Sequence, residues 1–431
     1  MKTLPLASVQ VSISSGPTHR TRITSIDALR GLIMFTMIFV NDIAGVSHDI
    51  VPWWMCHFPP NGDGMTFVDL VFPAFLFIAG MSIPFALGRR LDKGEPIWKT
   101  LLHVLTRTLS LLFIGILMVN ETPDTDKMGW SGDLWSTLMY LGVIIAFSPL
   151  TLPTLAKSSG DWRVIAWALR VMAFAALLYL AFAFRGKDDH RIITLSPFSI
   201  HTEWYGILGL IGWAYLVGTI AFLLFRNQRT ALLGAVALLM CLYPADKTGA
   251  FDGWWLKEYV SVGLVLGSQA AITVAGVLLA SILMTSDTAT LSSRARFTAL
   301  FVAGFATAAL LLRGLYGINK NNATPSWCLW AIAIAAALWL IFHFLCDYRP
   351  IRFIAVPFAI AGENVLLAYL LSEMAPSAID LLGLDQWYGK LAEPSLLCAV
   401  ARSAGCSFVV LVVAALLNRI APRRAGPRSK L

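Results

Sequence analysis

The sequence has 431 residues, 57% hydrophobic and 13% charged, with mean hydropathy +0.71 and a formal charge of +8. Soluble domains carry about 25% charged residues, so the composition excludes a soluble globular protein, as it does disordered, collagenous and disulfide-scaffold chains. A polytopic all-α membrane protein remains, in which net basic charge belongs to loops facing anionic lipid and not to nucleic acid.

Residues 1–24 lack the continuous apolar core of a signal peptide and read as a short cytoplasmic tail. Mostly apolar stretches, each about as long as the 17 to 25 residues that cross a ~30 Å hydrocarbon core, then follow one another. They cover 28–47, 67–87, 99–119, 134–153, 163–184, 205–225, 230–245, 260–284, 297–312, 326–346, 353–373 and 398–418. This predicts about twelve crossings, with ten or eleven if the short seventh and ninth stretches do not span. They form a single transmembrane domain over 25–420, followed by a basic cytoplasmic tail at 421–431. With both termini in the cytoplasm, the inside segments hold most of the 33 basic residues, including Arg89, Arg90, Lys93 and Lys99, while the loop 48–66 holds none. Trp53, Trp54, Trp98, Trp135, Trp327 and Trp387 fall near span ends, where an indole suits the membrane–water boundary.

Ionisable residues within the apolar stretches mark where function is sought, because they are costly in a bilayer. Asp27 and Arg30, three apart at the start of the first helix, are spaced as a local ion pair. The densest segment runs from Asn41 to Gly80. Its prolines and glycines rule out a continuing helix and leave His57 on irregular backbone beside Trp53 and Trp54, with Asp69 at the start of the second helix. A histidine with a carboxylate neighbour suits a base and its orienting partner, although an interfacial histidine is as a rule only interfacial. Cys56 points away from His57 in extended chain, and His48, Asp49, His57 and Asp63 lack the spacing of metal ligands, so no metal is expected. A second polar cluster, Gly317 to Ser326, contains Asn319, Lys320 and Asn321; it reads either as a solvated turn or as hydrogen-bond donors for the His57 cavity. Glu363, Asn364 and Tyr369 interrupt an apolar helix, where a buried asparagine often serves packing. His103 with Arg107, and His343 with Asp347, share helix faces on the cytoplasmic side; they could receive an anionic cofactor, although a structural pairing suits His343 and Asp347 better.

Four of these segments, in order, resemble the transmembrane acyltransferases related to heparan-α-glucosaminide N-acetyltransferase. Arg22 to Gly31 is similar to the family's R-x-x-S-x-D-x-L-R-G, and His57 with Gly64 to Gly80 resembles its His followed by G-x-T-x-x-D-L-V-F-P-x-F-L-F-I-x-G. Asn319, Lys320, Thr324 and Ser326 match N-K-x-x-x-T-x-S, and Gly362, Asn364, Leu366 and Tyr369 match G-x-N-x-L-x-x-Y. Phe58 to Asp63 departs from the eukaryotic form, being longer and lacking its Trp, which bears on the acceptor sugar.

The resemblance implies acetyl transfer from cytoplasmic acetyl-CoA to the amino group of glucosamine, or of a glucosamine-ended saccharide, across a bacterial inner membrane, by a homodimer. Its catalytic His, Asp and Asn fall on His57, Asp69 and Asn41. Arg89, Arg90, His103 and Arg107 are the expected group for the acetyl-CoA phosphates, and Trp53, Asn319, Lys320 and Asn364 the expected contacts of the acceptor. Asn41 or Asn319 would donate to the developing oxyanion. Rival readings are a secondary transporter of amino sugars, which discontinuous helices in corresponding positions of two halves would favour, and an O-acyltransferase of an envelope polysaccharide.

Overall fold

The computed structural model describes residues 24–120, 123–147, 160–187, 190–196, 198–226, 228–284, 290–349 and 351–420. Arg22 and both expected tails lie outside them, apart from Thr24. The helices are α1 (Thr24–Ile43), α2 (Val71–Asp92), α3 (Ile97–Val119), α4 (Gly132–Phe147), α5 (Gly160–Ala183), α6 (Gly206–Phe225) and α7 (Arg229–Lys247). After these come α8 (Ala270–Leu283), α9 (Leu291–Tyr316), α10 (Pro325–His343), α11 (Arg352–Ala361), α12 (Val365–Leu381), α13 (Asp385–Lys390) and α14 (Leu396–Ile420). Among the described residues the only sheet is a hairpin, β1 (Ile193–Leu195) with β2 (Phe198–Ile200), in which Ile193 faces Ile200.

The expected stretches fall on helices, 353–373 on two of them and 148–153 outside the described residues, but fewer than twelve of the described helices have the length and composition of a span. Nine of the described helices are long and apolar enough to cross a membrane, and ten if α11 and α12, bent by 73° at Gly362–Asn364, are one broken span. Two helices account for the difference: α1 carries Asp27, Arg30 and Asp42 within its 20 residues, and α4 has only 16.

The bundle is built around α8, which continues a wide turn over Val262–Gln269 and packs against α2, α6, α7 and α10. Its residues are buried on all sides, whereas α5, α7, α9 and α14 turn Trp167, Leu238, Leu311 and Phe408 outward. A belt of large apolar side chains facing out is what a bilayer selects. Not every tryptophan near a span end meets that boundary. Trp135 and Trp327 are 0% exposed, and Trp135 donates its indole N–H to the Leu180 carbonyl and packs on Phe184, so both serve helix packing instead.

Helices meet backbone to backbone at several glycines. A Cβ on Gly31 would lie 1.9 Å from the Phe358 carbonyl oxygen, and one on Gly362 2.0 Å from that of Asp27, so α1 and α11 touch only because both residues are glycine. Gly80 and Gly276 do the same for α2 and α8. Arg30 bridges the first contact: it pairs with Asp27 at 3.0 Å, as expected from their spacing, and donates to Ser82 Oγ and the Gly362 carbonyl. Much of the L-R-G and G-E-N segments is therefore occupied in joining helices. Gly276→Leu is expected to destabilise the bundle by about 3 kcal/mol, read as a lower Tm and loss of a monodisperse peak in detergent. Gly304→Leu on α9, where an added Cβ meets nothing within 4 Å, is expected to leave both unchanged.

Candidate active site

The chain leaving α1 makes no regular structure until Pro52 starts a single turn at Trp53–Met55. Pro59 and Pro60 then form a turn closed by the Gly62 N–H on the Pro59 carbonyl, and the Phe58 ring lies over Gly62 and Gly64, where any Cβ would collide with it. Thr66 to Asp69 opens α2 through the short turn Val68–Leu70. The Asp69 Oδ2 reaches back to accept the Thr66 N–H at 3.0 Å, a capping-box contact, and also accepts the Phe58 N–H at 3.1 Å. Its Oδ1 is 2.8 Å from His57 Nδ1. Asp69 is 2% exposed and His57 49%, so a buried carboxylate holds a half-exposed imidazole. Because a carboxylate only accepts, Nδ1 carries the hydrogen of that bond and Nε2 is the nitrogen left with a lone pair.

The segment Gly317–Thr324 lies against this loop from the other side. Asp63 accepts the Ile318 N–H at 2.7 Å and pairs with Arg313, Ile318 returns its carbonyl to the Gly64 N–H, and Asn319 donates to the Pro60 and Gly62 carbonyls. Thr324 Oγ accepts the Asn319 N–H and donates to the Gly317 carbonyl, while Ala323, at φ 42°, gives its carbonyl to Ser268. The clamp delivers Lys320 Nζ to 3.0 Å from His57 Nδ1, 3.4 Å from Nε2 and 3.8 Å from Asp69 Oδ1. Burial pushes the Lys320 amine below the ordinary lysine value, and Asp69 pulls it partly back.

His57, Asp69, Asn319 and Lys320 thus come together, with Asn319 tying the loops and Lys320 folded onto the imidazole. The other expected residues lie elsewhere. Trp53 is exposed beside them, and Asn364 sits at the α11–α12 bend with its amide nitrogen buried and unpaired. Asn41 donates to Glu373 at 2.7 Å and lines a cavity of about 750 Å³ together with Asp42, Glu373, Asp380, Tyr388 and Arg402. A second cavity, of about 340 Å³, holds Arg107, which lies over the Tyr215 ring; the two share Ile207 and Tyr369 as walls, and neither is lined by His57. Arg89 and Arg90 close α2 at the opposite end from His57, about 28 Å along the helix. His103 is one turn before Arg107 on α3. Cys56 Sγ faces His48 at 3.5 Å, and among the described residues no group of three His, Cys, Asp or Glu could hold a metal.

Two clusters escaped the sequence reading. Asp42 accepts from Arg402, Ser403 and Tyr388, a knot for which an arginine within the last apolar stretch was the available signal. The Asp63–Arg313 clamp had none. His343 does pair with Asp347, at 2.8 Å, and the same carboxylate ties down Ser25 of α1.

A bundle of apolar helices carrying a histidine–carboxylate–lysine cluster on clamped loops at one end is a polytopic membrane protein. Residues 22–253 match the family described as "Domain of unknown function (DUF5009)", and the chain belongs to that family. The match takes in Asn41, His57, Asp69 and Arg107 and stops short of Lys320 and Asn364. The chain is also 34% identical over 109 residues to heparan-alpha-glucosaminide N-acetyltransferase of human and of mouse. That match covers 25% of this chain but only 15% and 16% of the two relatives, so the chain spans a small part of their length.

The Ile318 amide first, and Arg313 second, hold the Asp63 carboxyl below its ordinary value of 3.8. A depressed carboxyl stabilises above its unfolded value, so the clamp is expected to hold at neutral pH and loosen as pH falls below 3.8 through the folded value. Amide exchange at Ile318 and Gly64, corrected for intrinsic rates, is expected to quicken there, and to be equally quick at pH 7 in Asp63→Asn.

Proposed function

We propose that the protein is a membrane acetyltransferase that moves an acetyl group from cytoplasmic acetyl-CoA to the amino group of glucosamine, or of a terminal glucosamine, on the far side of the membrane. The observation that supports this reading is the His57–Asp69 pair, at residues that resemble the acyltransferase motif, in a chain part of which is similar to heparan-alpha-glucosaminide N-acetyltransferase. An amine attacks a thioester only through its free lone pair. His57 Nε2 takes the proton that the acceptor nitrogen gives up as the new N–C bond forms, the C–S bond breaks, and the departing thiolate is protonated in turn. Asp69 keeps Nδ1 protonated and stabilises the imidazolium that results.

Arg89 and Arg90, with His103 and Arg107 behind them, suit the phosphates of the donor, because guanidinium groups bind phosphate through paired hydrogen bonds. In this reading that end of the bundle and both termini face the cytoplasm. The adjoining cavities that run from Arg107 toward Asn41 are the room available to a slender thioester arm. The broken span at Gly362–Asn364 is the observation that favours a transporter, whose half-helices meet substrate at such breaks.

Purified protein in detergent, given labelled acetyl-CoA and glucosamine, is expected to yield acetylated sugar. His57→Ala is expected to lose about 10²- to 10⁴-fold, and Asp69→Asn about tenfold or more, in kcat/KM. Wild-type protein that binds glucosamine without forming product, yet carries it into liposomes, would overturn the reading in favour of the transporter.

A further inference from the structure

Lys320 does not stand where a residue waiting for substrate would stand. Its loop is fastened on both sides, by Asp63 and Arg313 through Ile318 and by Asn319 through the Pro60 and Gly62 carbonyls, and its amine is laid against the edge of the His57 ring. The side chain is 30% exposed, the less open side of a pair in which the imidazole is 49% exposed. The charged groups around His57 can be taken element by element. Asp69 comes from the turn before α2 and Lys320 from the α9–α10 loop. Asp63 and Arg313 neutralise one another, and the neighbouring Cys56 thiol faces His48. Two charges of opposite sign therefore touch the imidazole, each within hydrogen-bonding reach.

Those charges act on the ring in opposite directions. A buried carboxylate alone against Nδ1 stabilises the imidazolium, and a histidine held as imidazolium has no lone pair with which to take a proton. A cation at 3.0–3.4 Å from both ring nitrogens raises the cost of that protonation. We propose that Lys320 is a positioning residue for the base: clamped against both nitrogens of His57, its ammonium offsets Asp69 and opposes protonation of the imidazole. Asp69 supplies orientation and the correct tautomer, and Lys320 cancels the charge penalty of having Asp69 there. The N-K pair of the motif then has divided duties, with Asn319 tying the loops and Lys320 setting the proton affinity of the ring. The catalytic part of this inference rests on the acetyltransferase reading; the effect on His57 does not.

The test is made on the full chain in detergent with Lys320→Met and Lys320→Arg; Lys320→Gln replaces the first if it is not recovered folded. The titration of His57 is read without any substrate, from the pH dependence of its modification by diethyl pyrocarbonate, quantified on the His57 peptide by mass spectrometry. Removing the charge is expected to move that titration up by about one to two pH units, while Lys320→Arg leaves it within about half a unit of wild type. The acid limb of kcat/KM for acetyl transfer moves with it, so Lys320→Met is about 5- to 50-fold slower at pH 6.5 and recovers above pH 9. A His57 titration unchanged in Lys320→Met, or an equal loss of activity at every pH, would overturn the proposal. If wild type transfers no acetyl group while the His57 titration still rises in Lys320→Met, the acetyltransferase reading falls and the action of Lys320 on the ring is upheld.

Discussion

The Asp69 carboxylate is a charge removed almost wholly from water, and it is tolerable only because every direction around it is met by a donor. Two of those donors are backbone amides, Phe58 and Thr66, that the chain can offer together only if the intervening seven residues fold into one compact loop. The prolines and glycines of that loop and the Phe58 ring over it make the fold of least cost the one that also carries His57 to the remaining oxygen. One interaction therefore caps the second helix, closes the loop and orients the imidazole. Its loss would be felt in all three at once, which is why a structural role for Asp69 is part of its chemical role and does not compete with it.

Lys320 extends the same logic across the molecule. The α9–α10 loop has little apolar surface with which to hold its place, and its position comes from hydrogen bonds that pass between the two loops in both directions. Such a clamp is stiff only when its charges are paired, and Asp63 with Arg313 supplies that pairing on an exposed surface where an ion pair alone is worth little. The Ile318 amide, a neutral donor at 2.7 Å, holds Asp63 alongside Arg313 at 3.2 Å, so the clamp depends less on salt than a surface salt bridge alone would.

The apolar stretches could be read from the sequence because hydropathy over some twenty residues is a property of the segment alone, whereas the break that divides 353–373 into two helices could not. His57 and Asp69 could be read as a pair for a similar reason: they are only twelve residues apart, and the turn residues between them leave few ways for the chain to go. What lay 250 residues apart could be read only as an alternative, the Gly317–Ser326 cluster being either a solvated turn or a set of donors for the His57 cavity. Nothing local decides between the two, or tells that Asp63 holds Arg313, because those contacts are set by how α9 and α10 pack in the bundle. Trp135 and Trp327 failed for the converse reason: an indole near a span end suits headgroups when it faces lipid, but these two face α5 and the interior. Gly31, Gly80 and Gly362 sit within recognisable motifs, and Gly276 in none, yet only the packed helices show that their work is to let backbones touch.

The placement of charge along α2 constrains any reaction the bundle performs. The arginines at one end and the His57 cluster at the other are separated by about 28 Å, close to the thickness of a hydrocarbon core. Anionic ligand held at the first end and chemistry at the second can meet only through the interior. The interior does offer space between α1, α3, α6 and α12, where the Arg107 cavity abuts the larger one that reaches Asn41. The wall shared by the two is Ile207 and Tyr369, the latter on α12 just beyond the bend at Asn364. The 73° bend lies between this wall and the close contact of Gly31 with Gly362, so the break in the helix is what turns Tyr369 toward the two cavities while the backbone before it stays packed on α1.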